Sequence, residues 1–305
     1  MSTLGTPTPL AVVEEGIPNA RRRRRGAKTT RIRGARPGFW AYATLGVVFL
    51  SAIFPLYWSF IIGSGDATTL RQPFPWIPGG NFIDNAISVV TNPAVNFWGA
   101  LWNSIYSSFL IAAAVVITST LAGWAFAKLR FHGGAGLLVF VVATMAVPQQ
   151  LGVVPLYILF SELGWTGEIG AIIIPALTSA FGVFWMTQYL RQAVPNELIE
   201  AARVDGATMF RTFLTVGLPA ARPAAAMLFL FTFVGAWNNF FWPFIVLDRQ
   251  NPTLPVALSL LQSNYFVDYS VVLAGVVLAT IPLLLLFIFA GKQLVSGIMA
   301  GAVKG

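Results

Sequence analysis

The sequence predicts an all-α integral membrane protein with six transmembrane helices, on three observations. Of 305 residues, 56% are hydrophobic and only 10% are charged, whereas a soluble domain carries about a quarter charged. Six apolar windows reach the length of about 20 residues that a helix needs to cross the hydrocarbon core. Lysine and arginine gather on alternate loops between those windows, the asymmetry that orients membrane proteins.

The windows are Phe39–Ile62, Leu101–Ala127, Ala135–Phe160, Gly170–Tyr189, Pro223–Leu247 and Tyr269–Gly291, and none contains Asp, Glu, Lys or Arg. Lipid leaves backbone groups no external partner, so only helices or closed barrels span it. These windows are too long and too continuously apolar for barrel strands. One set of loops and tails holds Arg21 to Arg25, Lys28, Arg31, Arg33, Arg36, Lys128, Arg130, Arg191, Arg203, Arg211, Arg222, Lys292 and Lys304. That is 17 of the 19 basic residues, with only Arg71 and Arg249 on the other side. Both termini are therefore expected in the cytoplasm.

Residues 1–38 read as a disordered basic cytoplasmic tail and residues 39–98 as the first span with an external loop. Residues 99–291 hold the remaining five spans, and 292–305 form a cytoplasmic tail. The run RRRRR at 21–25 fits a topology anchor, a nucleic-acid arm, a nuclear signal or a lipid-binding patch. The topology anchor explains it most simply, and no nucleic-acid partner is expected. Nothing near the start has the apolar core of a signal peptide. There is no cysteine, and His132 is the single histidine. Thiolate and His-cluster metal sites are thereby excluded. No catalytic residue, metal or cofactor is expected.

The loops 128–134 and 161–169 are tight. The external segments 63–100 and 248–268 are longer and carry Pro73, Pro75, Trp76, Pro78, Tyr265 and Phe266. The only long internal loop is 190–222. There Pro195 stops the preceding segment, and Asn196 is placed to cap a helix starting at Glu197. Glu197 and Glu200 lie in the first turn, where the helix dipole favours them. Leu198, Ala201 and Ala202 make a small apolar face. Gly206 ends the helix in the left-handed conformation, and Thr208 caps a second short helix through Leu214. Leu218 and Pro219 then lead into the fifth span. Two readings stand for this bend: an amphipathic connector lying on the membrane, or an element that docks in a protein cleft.

The stretch EAARVDGATMFRTFLTVGLP, residues 200–219, resembles the EAA loop of ABC-importer permeases. Glu200, Ala201, Ala202, Asp205, Gly206, Gly217, Leu218 and Pro219 fall on the defining positions. The resemblance narrows to the carbohydrate importers, to the subunit similar to maltose permease G. NSIYSS at 103–108, AGWAFAKLRF at 122–131, VVPLYILFSELGWTG at 153–167, AWNNFFWPFIVL at 236–247, TLPVALSLLQ at 253–262 and GIMAGAVKG at 297–305 carry it. Asn239 stands where that family is expected to have an acidic residue. The resemblance implies a type I importer fold whose loop is a coupling helix seated in a cytoplasmic ATPase. It implies a second permease subunit as heterodimer partner, two ATPase copies, an extracytoplasmic solute-binding protein, and a sugar as cargo. No G-x-x-x-x-G-K-[ST] motif is present, so ATP hydrolysis falls to a partner.

Uncharged polar groups are the pathway candidates within the spans. Gln149 and Gln150 follow Pro148, where a broken helix frees carbonyls beside a cavity. Trp237, Asn238 and Asn239 lie with Phe240, Phe241 and Trp242, and aromatics beside amides suit sugars. The same groups also fit interhelical hydrogen bonding and interfacial aromatics. Thr253, Leu254, Pro255 and Gln262 are candidate contacts to the binding protein, or parts of a lid on the chain's own spans. Ala112 to Ala114 and Gly123 read as close-packing positions. Lys128, Arg130 and His132 could meet lipid headgroups, yet topology and a tight turn account for them. An ion-coupled carrier normally needs ionisable groups inside the bilayer. Resemblance favours sugar over the polyamine and peptide importers.

Overall fold

The computed structural model describes residues 38–69, 74–263 and 266–302, with side chains through 289 and at 291. The arginine run, Lys28, Arg31, Arg33, Arg36, Arg71, Pro73, Tyr265 and Lys304 lie outside the described residues, as does the side chain of Lys292. The described residues divide into two units between Ala52 and Ile53. In the first, the opening part of α1 (Phe39–Gly63) is a helix whose apolar side chains are mostly exposed.

Every regular element among the described residues of the second unit is a helix. After the end of α1 come α2 (Phe82–Thr91), α3 (Phe97–Lys128), α4 (Gly134–Thr144) and α5 (Val153–Glu162). Next are α6 (Gly170–Ile173), α7 (Ala180–Ala193), α8 (Asn196–Val204) and α9 (Met209–Thr212). The chain ends with α10 (Leu218–Trp237), α11 (Phe241–Val246), α12 (Leu254–Ser259) and α13 (Tyr269–Ala302). Among the described residues, five helical stretches are long and apolar enough to cross a membrane, or six when the bent pair α4 and α5 counts as one.

α3 is the hub, packing along both α7 and α10. Gly123 permits the α3–α7 approach, because a Cβ there would stand 2.7 Å from the Met186 Cβ. One apolar core at the hub joins Val115, Trp124, Met186, Leu190, Ile199, Phe213 and Leu228. A second joins Val89, Ala100, Ala112, Trp237, Leu254 and Val272 near the opposite end. Such close contact between small residues is how helices associate where water offers no drive.

The third window is the broken helix expected at Pro148, a pair of helices meeting at 87°. Pro148, which carries no amide hydrogen, stands in the extended region at that break. The fifth does not begin at Pro223. α9, a π turn over Phe213–Gly217 and α10 run on as one 29-residue stretch, Met209–Trp237, which then breaks before α11. Arg211 and Arg222 lie inside that stretch and are exposed. A long basic side chain lays its stem along apolar surface and keeps its charge in water, so the hydropathy window stops short of the helix.

Span ends and loops expected on one side do meet. Asn103 Nδ2 donates to the Pro252 carbonyl at 3.1 Å, and Ser104 Oγ accepts from the Leu254 amide at 2.7 Å. Ser270 Oγ donates to the Asp66 carbonyl at 2.6 Å, and Asn251 Nδ2 to that of Gly167 at 3.2 Å. At the other end Lys128 reaches Val194 and Asn196.

Candidate functional site

The loop 190–222 is a bent element gripped by the end of α3. α7 ends at Ala193, and Val194 and Pro195 are extended. α8 then starts at Asn196, with Pro195 in the cap position and no side-chain cap. Asn196 is thus not the cap expected from sequence. Its Oδ1 instead accepts from Lys128 Nζ at 3.3 Å, and Lys128 Nζ also donates to the Val194 carbonyl. A lysine at one helix end here satisfies carbonyl groups that another helix end leaves orphaned.

α8 is anchored by Ile199, 6% exposed, which joins the core of Trp124, Val194 and Phe213. Of the small apolar face expected from sequence, Leu198 and Ala201 are exposed and Ala202 is half-buried. Leu198 is 48% exposed and Val204 88%, beside the exposed Glu200 and Asp205. An exposed apolar group among carboxylates at a bend is a surface that a partner can cover.

Gly206 has φ +75°, the left-handed conformation expected of it. Its amide donates to the Arg203 carbonyl at 3.0 Å, and the Ala207 amide to the Ala202 carbonyl at 2.9 Å. These two bonds are the Schellman termination of a helix. Thr208 Oγ1 accepts from the Arg211 amide at 3.2 Å and so caps α9, also as expected. The return leg passes through the π turn Phe213–Gly217, a helical irregularity frequent at functional sites. Phe213 packs on Trp124, ring centroids 5.7 Å apart. Gly217 lies against the same indole, where a Cβ would stand 2.7 Å from Cε3 and Cζ3. Leu218 and Pro219 are exposed in the first turn of α10.

The other candidates fall into separate places. Gln149 and Gln150 are exposed at the 87° break. Asn238 and Asn239 are exposed at the break between α10 and α11, where Asn238 Nδ2 bonds the Val234 carbonyl at 3.0 Å. Trp237 is buried and stacks on Phe233, so it belongs to the core. Trp242 Nε1 donates to the Ala171 carbonyl at 3.0 Å. Thr253 and Leu254 are buried and Pro255 half-buried, which leaves Gln262 as the exposed member of that segment. No cluster of three or more metal-ligating side chains occurs among the described residues.

Sequence reasoning missed Trp124, Lys128, Ile199 and Phe213. Each acts through a partner far along the chain, and only the 122–131 motif pointed to the first two.

The chain is similar to proteins of one kind. Residues 119–298 match the family model described as binding-protein-dependent transport system inner membrane component. The arabinooligosaccharides transport system permease protein AraQ of Halalkalibacterium halodurans is 32% identical, covering 86% of this chain and 95% of its own. The lactose transport system permease protein LacG of Rhizobium radiobacter is 32% identical, covering 90% and 99%. The trehalose/maltose transport system permease protein MalG of Thermococcus litoralis is 30% identical, covering 86% and 95%. Among solved structures, a chain of a bacterial ABC transporter involved in import of the acidic polysaccharide alginate superposes with TM-score 0.69. It is 23% identical, covering 82% of this chain and 94% of that one.

Proposed function

The chain belongs to the binding-protein-dependent transport system inner membrane components, and we propose that it carries a sugar across the cytoplasmic membrane as the permease subunit of an ATP-binding-cassette importer. Family membership brings a solute-binding protein and an ATPase as partners. The finer assembly, this chain in a heterodimer with a second permease above two ATPase copies, is part of the proposal. So is the orientation with both termini and the 190–222 loop in the cytoplasm, which rests on the distribution of lysine and arginine. The sugar reading is supported by relatives named for arabinooligosaccharides, lactose and trehalose or maltose.

One observation carries the mechanism. The bend at Gly206 holds Glu200, Asp205, Leu198 and Val204 outward, while Ile199, Phe213 and Lys128 tie both legs to α3. An ATPase groove that grips Glu200 to Asp205 therefore pulls on α7, α10 and α3 together. ATP closure moves the groove, the helices tilt, and access switches from one side to the other. Within the loop Glu200 pairs with a basic residue of the groove, Ala201 and Ala202 admit close approach, and Gly217, Leu218 and Pro219 start the moving helix. Gln149, Gln150, Asn238 and Asn239 line the route at the two helix breaks, and Gln262 meets the binding protein.

Gly206→Val tests this. A β-branched residue at positive φ is strongly disfavoured, so the bend should be lost. The expected result is membrane insertion as in the wild type, with uptake and binding-protein-stimulated ATPase abolished. Normal uptake would sink the coupling role.

A further inference from the structure

Beside the coupling element lies a cleft of about 430 Å³ lined by Phe126, Leu129, Arg130, Phe131, His132, Gly134, Ala135 and Arg191. We propose that this cleft binds the phosphate of an anionic phospholipid. Its cationic groups come from segments about sixty residues apart, Arg130 after α3 and Arg191 in the last turn of α7, with the His132 ring also in the lining. Topology explains why such residues lie at this end of the bundle. It does not explain why they converge on one concavity.

Three features fit the ligand. First, the lining contains no carboxylate, and none of Arg130, His132 and Arg191 is hydrogen-bonded or ion-paired to another of the described residues. The charge of the two arginines is left for an external anion, and arginine forks match phosphate oxygens two at a time. Second, α4 begins at the cleft. Its cap residue Gly133 has φ +79° and no side-chain cap, and Gly134 and Ala135 of its first turn line the same space, the Gly134 amide bonded to the Phe131 carbonyl at 3.3 Å. Third, α4 runs from the cleft as an apolar helix with Leu137, Val139 and Phe140 exposed. A phosphate seated among the arginines places its acyl chains along that face, an arrangement a free anion does not need. Basic pockets between membrane helices hold lipid headgroups by the same combination.

The site also bears on coupling. Arg191 lies three residues before Val194, which Lys128 holds, and Arg130 two residues after Lys128. A headgroup bridging Arg130 and Arg191 would brace the α3–α4 turn against the base of α7.

The test uses the complete importer in nanodiscs of phosphatidylcholine with a minor fraction of phosphatidylglycerol, with retained lipid counted by native mass spectrometry. The wild type should retain phosphatidylglycerol selectively. Arg130→Gln with Arg191→Gln should weaken that retention about thirtyfold, the equivalent of about 1 kcal/mol of surface attraction for each of the two arginines. Arg222→Gln, a charge removed elsewhere, should leave it unchanged. Equal retention in the double variant, or an equal loss in Arg222→Gln, overturns the proposal. A second arm uses only the wild type and stands if the double variant does not assemble. A wild type that retains phosphatidylglycerol no better than phosphatidylcholine would overturn the lipid assignment; selective retention that persists in added inorganic phosphate assigns the cleft to the lipid rather than to a free anion. Neither failure touches the transport reading, which the Gly206→Val experiment addresses separately.

Discussion

Trp124 and Lys128 stand one helical turn apart on α3 and hold opposite legs of the bent loop. Trp124 packs on Phe213 and Gly217 of the return leg, while Lys128 bonds Val194 and Asn196 of the outgoing leg. Residues four apart share a helix face, so a single face of α3 clamps the element at both ends. A lever attached only through α7 and α10, the helices covalent with it, would leave α3 a bystander. The clamp makes α3 a third arm.

Gly217→Ala should therefore disturb coupling. Its Cβ would fall 2.7 Å from a rigid indole, and overpacking of this kind costs about 1–3 kcal/mol. Lower thermal stability and reduced stimulated ATPase are expected, with partial recovery when Trp124→Leu is added. A double variant no better than the sum of the two singles would show that the contact carries no coupling.

Lys128→Met leaves the Val194 carbonyl and the Asn196 amide oxygen without their donor. An unsatisfied buried polar group costs about 1–3 kcal/mol, and the outgoing leg should slip relative to α3. The expected outcome is more ATP hydrolysed per sugar moved, measured in proteoliposomes, with Lys128→Arg restoring much of the ratio. An unchanged ratio in Lys128→Met would remove α3 from the mechanism.

The orientation of α8 separates two neighbours. Ile199→Ala empties a core position and should cost about 2–4 kcal/mol in stability. Leu198→Ala should leave stability unchanged and weaken capture of the ATPase subunit instead. Thermal unfolding and co-purification distinguish them, and the reverse pattern would mean the helix is turned the other way.

Outside the spans, Asp66 accepts from the Thr68 hydroxyl at 2.7 Å, the Thr68 amide at 2.9 Å and the Thr69 hydroxyl at 3.1 Å. These bonds, led by the Thr68 hydroxyl, hold its pKa below the ordinary 3.8. A depressed folded-state pKa stabilises above the unfolded value, and that contribution is lost as pH falls below about 3.8 and through the folded value. Asp66→Asn should flatten this acid limb of the unfolding curve. An identical limb in the variant would show that Asp66 contributes nothing.

Local chemistry was legible in the sequence where a residue acts on its own neighbours. Gly206 takes the left-handed turn, Thr208 caps α9, and Pro148 marks the break in the third span. What the sequence hid depends on distance. Asn196 looks like a cap until Lys128, 68 residues earlier, takes its oxygen. Leu254 looks available to a partner until Ser104, 150 residues earlier, accepts its amide and buries it. Ile199 rather than Leu198 turns inward because the core it meets is assembled from α3, α7 and α10. Arg211 and Arg222 end a hydropathy window but not a helix, since an exposed arginine disturbs no backbone bond.

Coupling in this chain requires the outward face of α8 to meet an ATPase. The chain has no cysteine, so a single introduced thiol gives an unambiguous crosslink. In the assembled importer, Leu198→Cys and Val204→Cys should each crosslink to the ATPase subunit, and Ile199→Cys should not. No crosslink from Leu198→Cys or Val204→Cys in any nucleotide state would contradict the account.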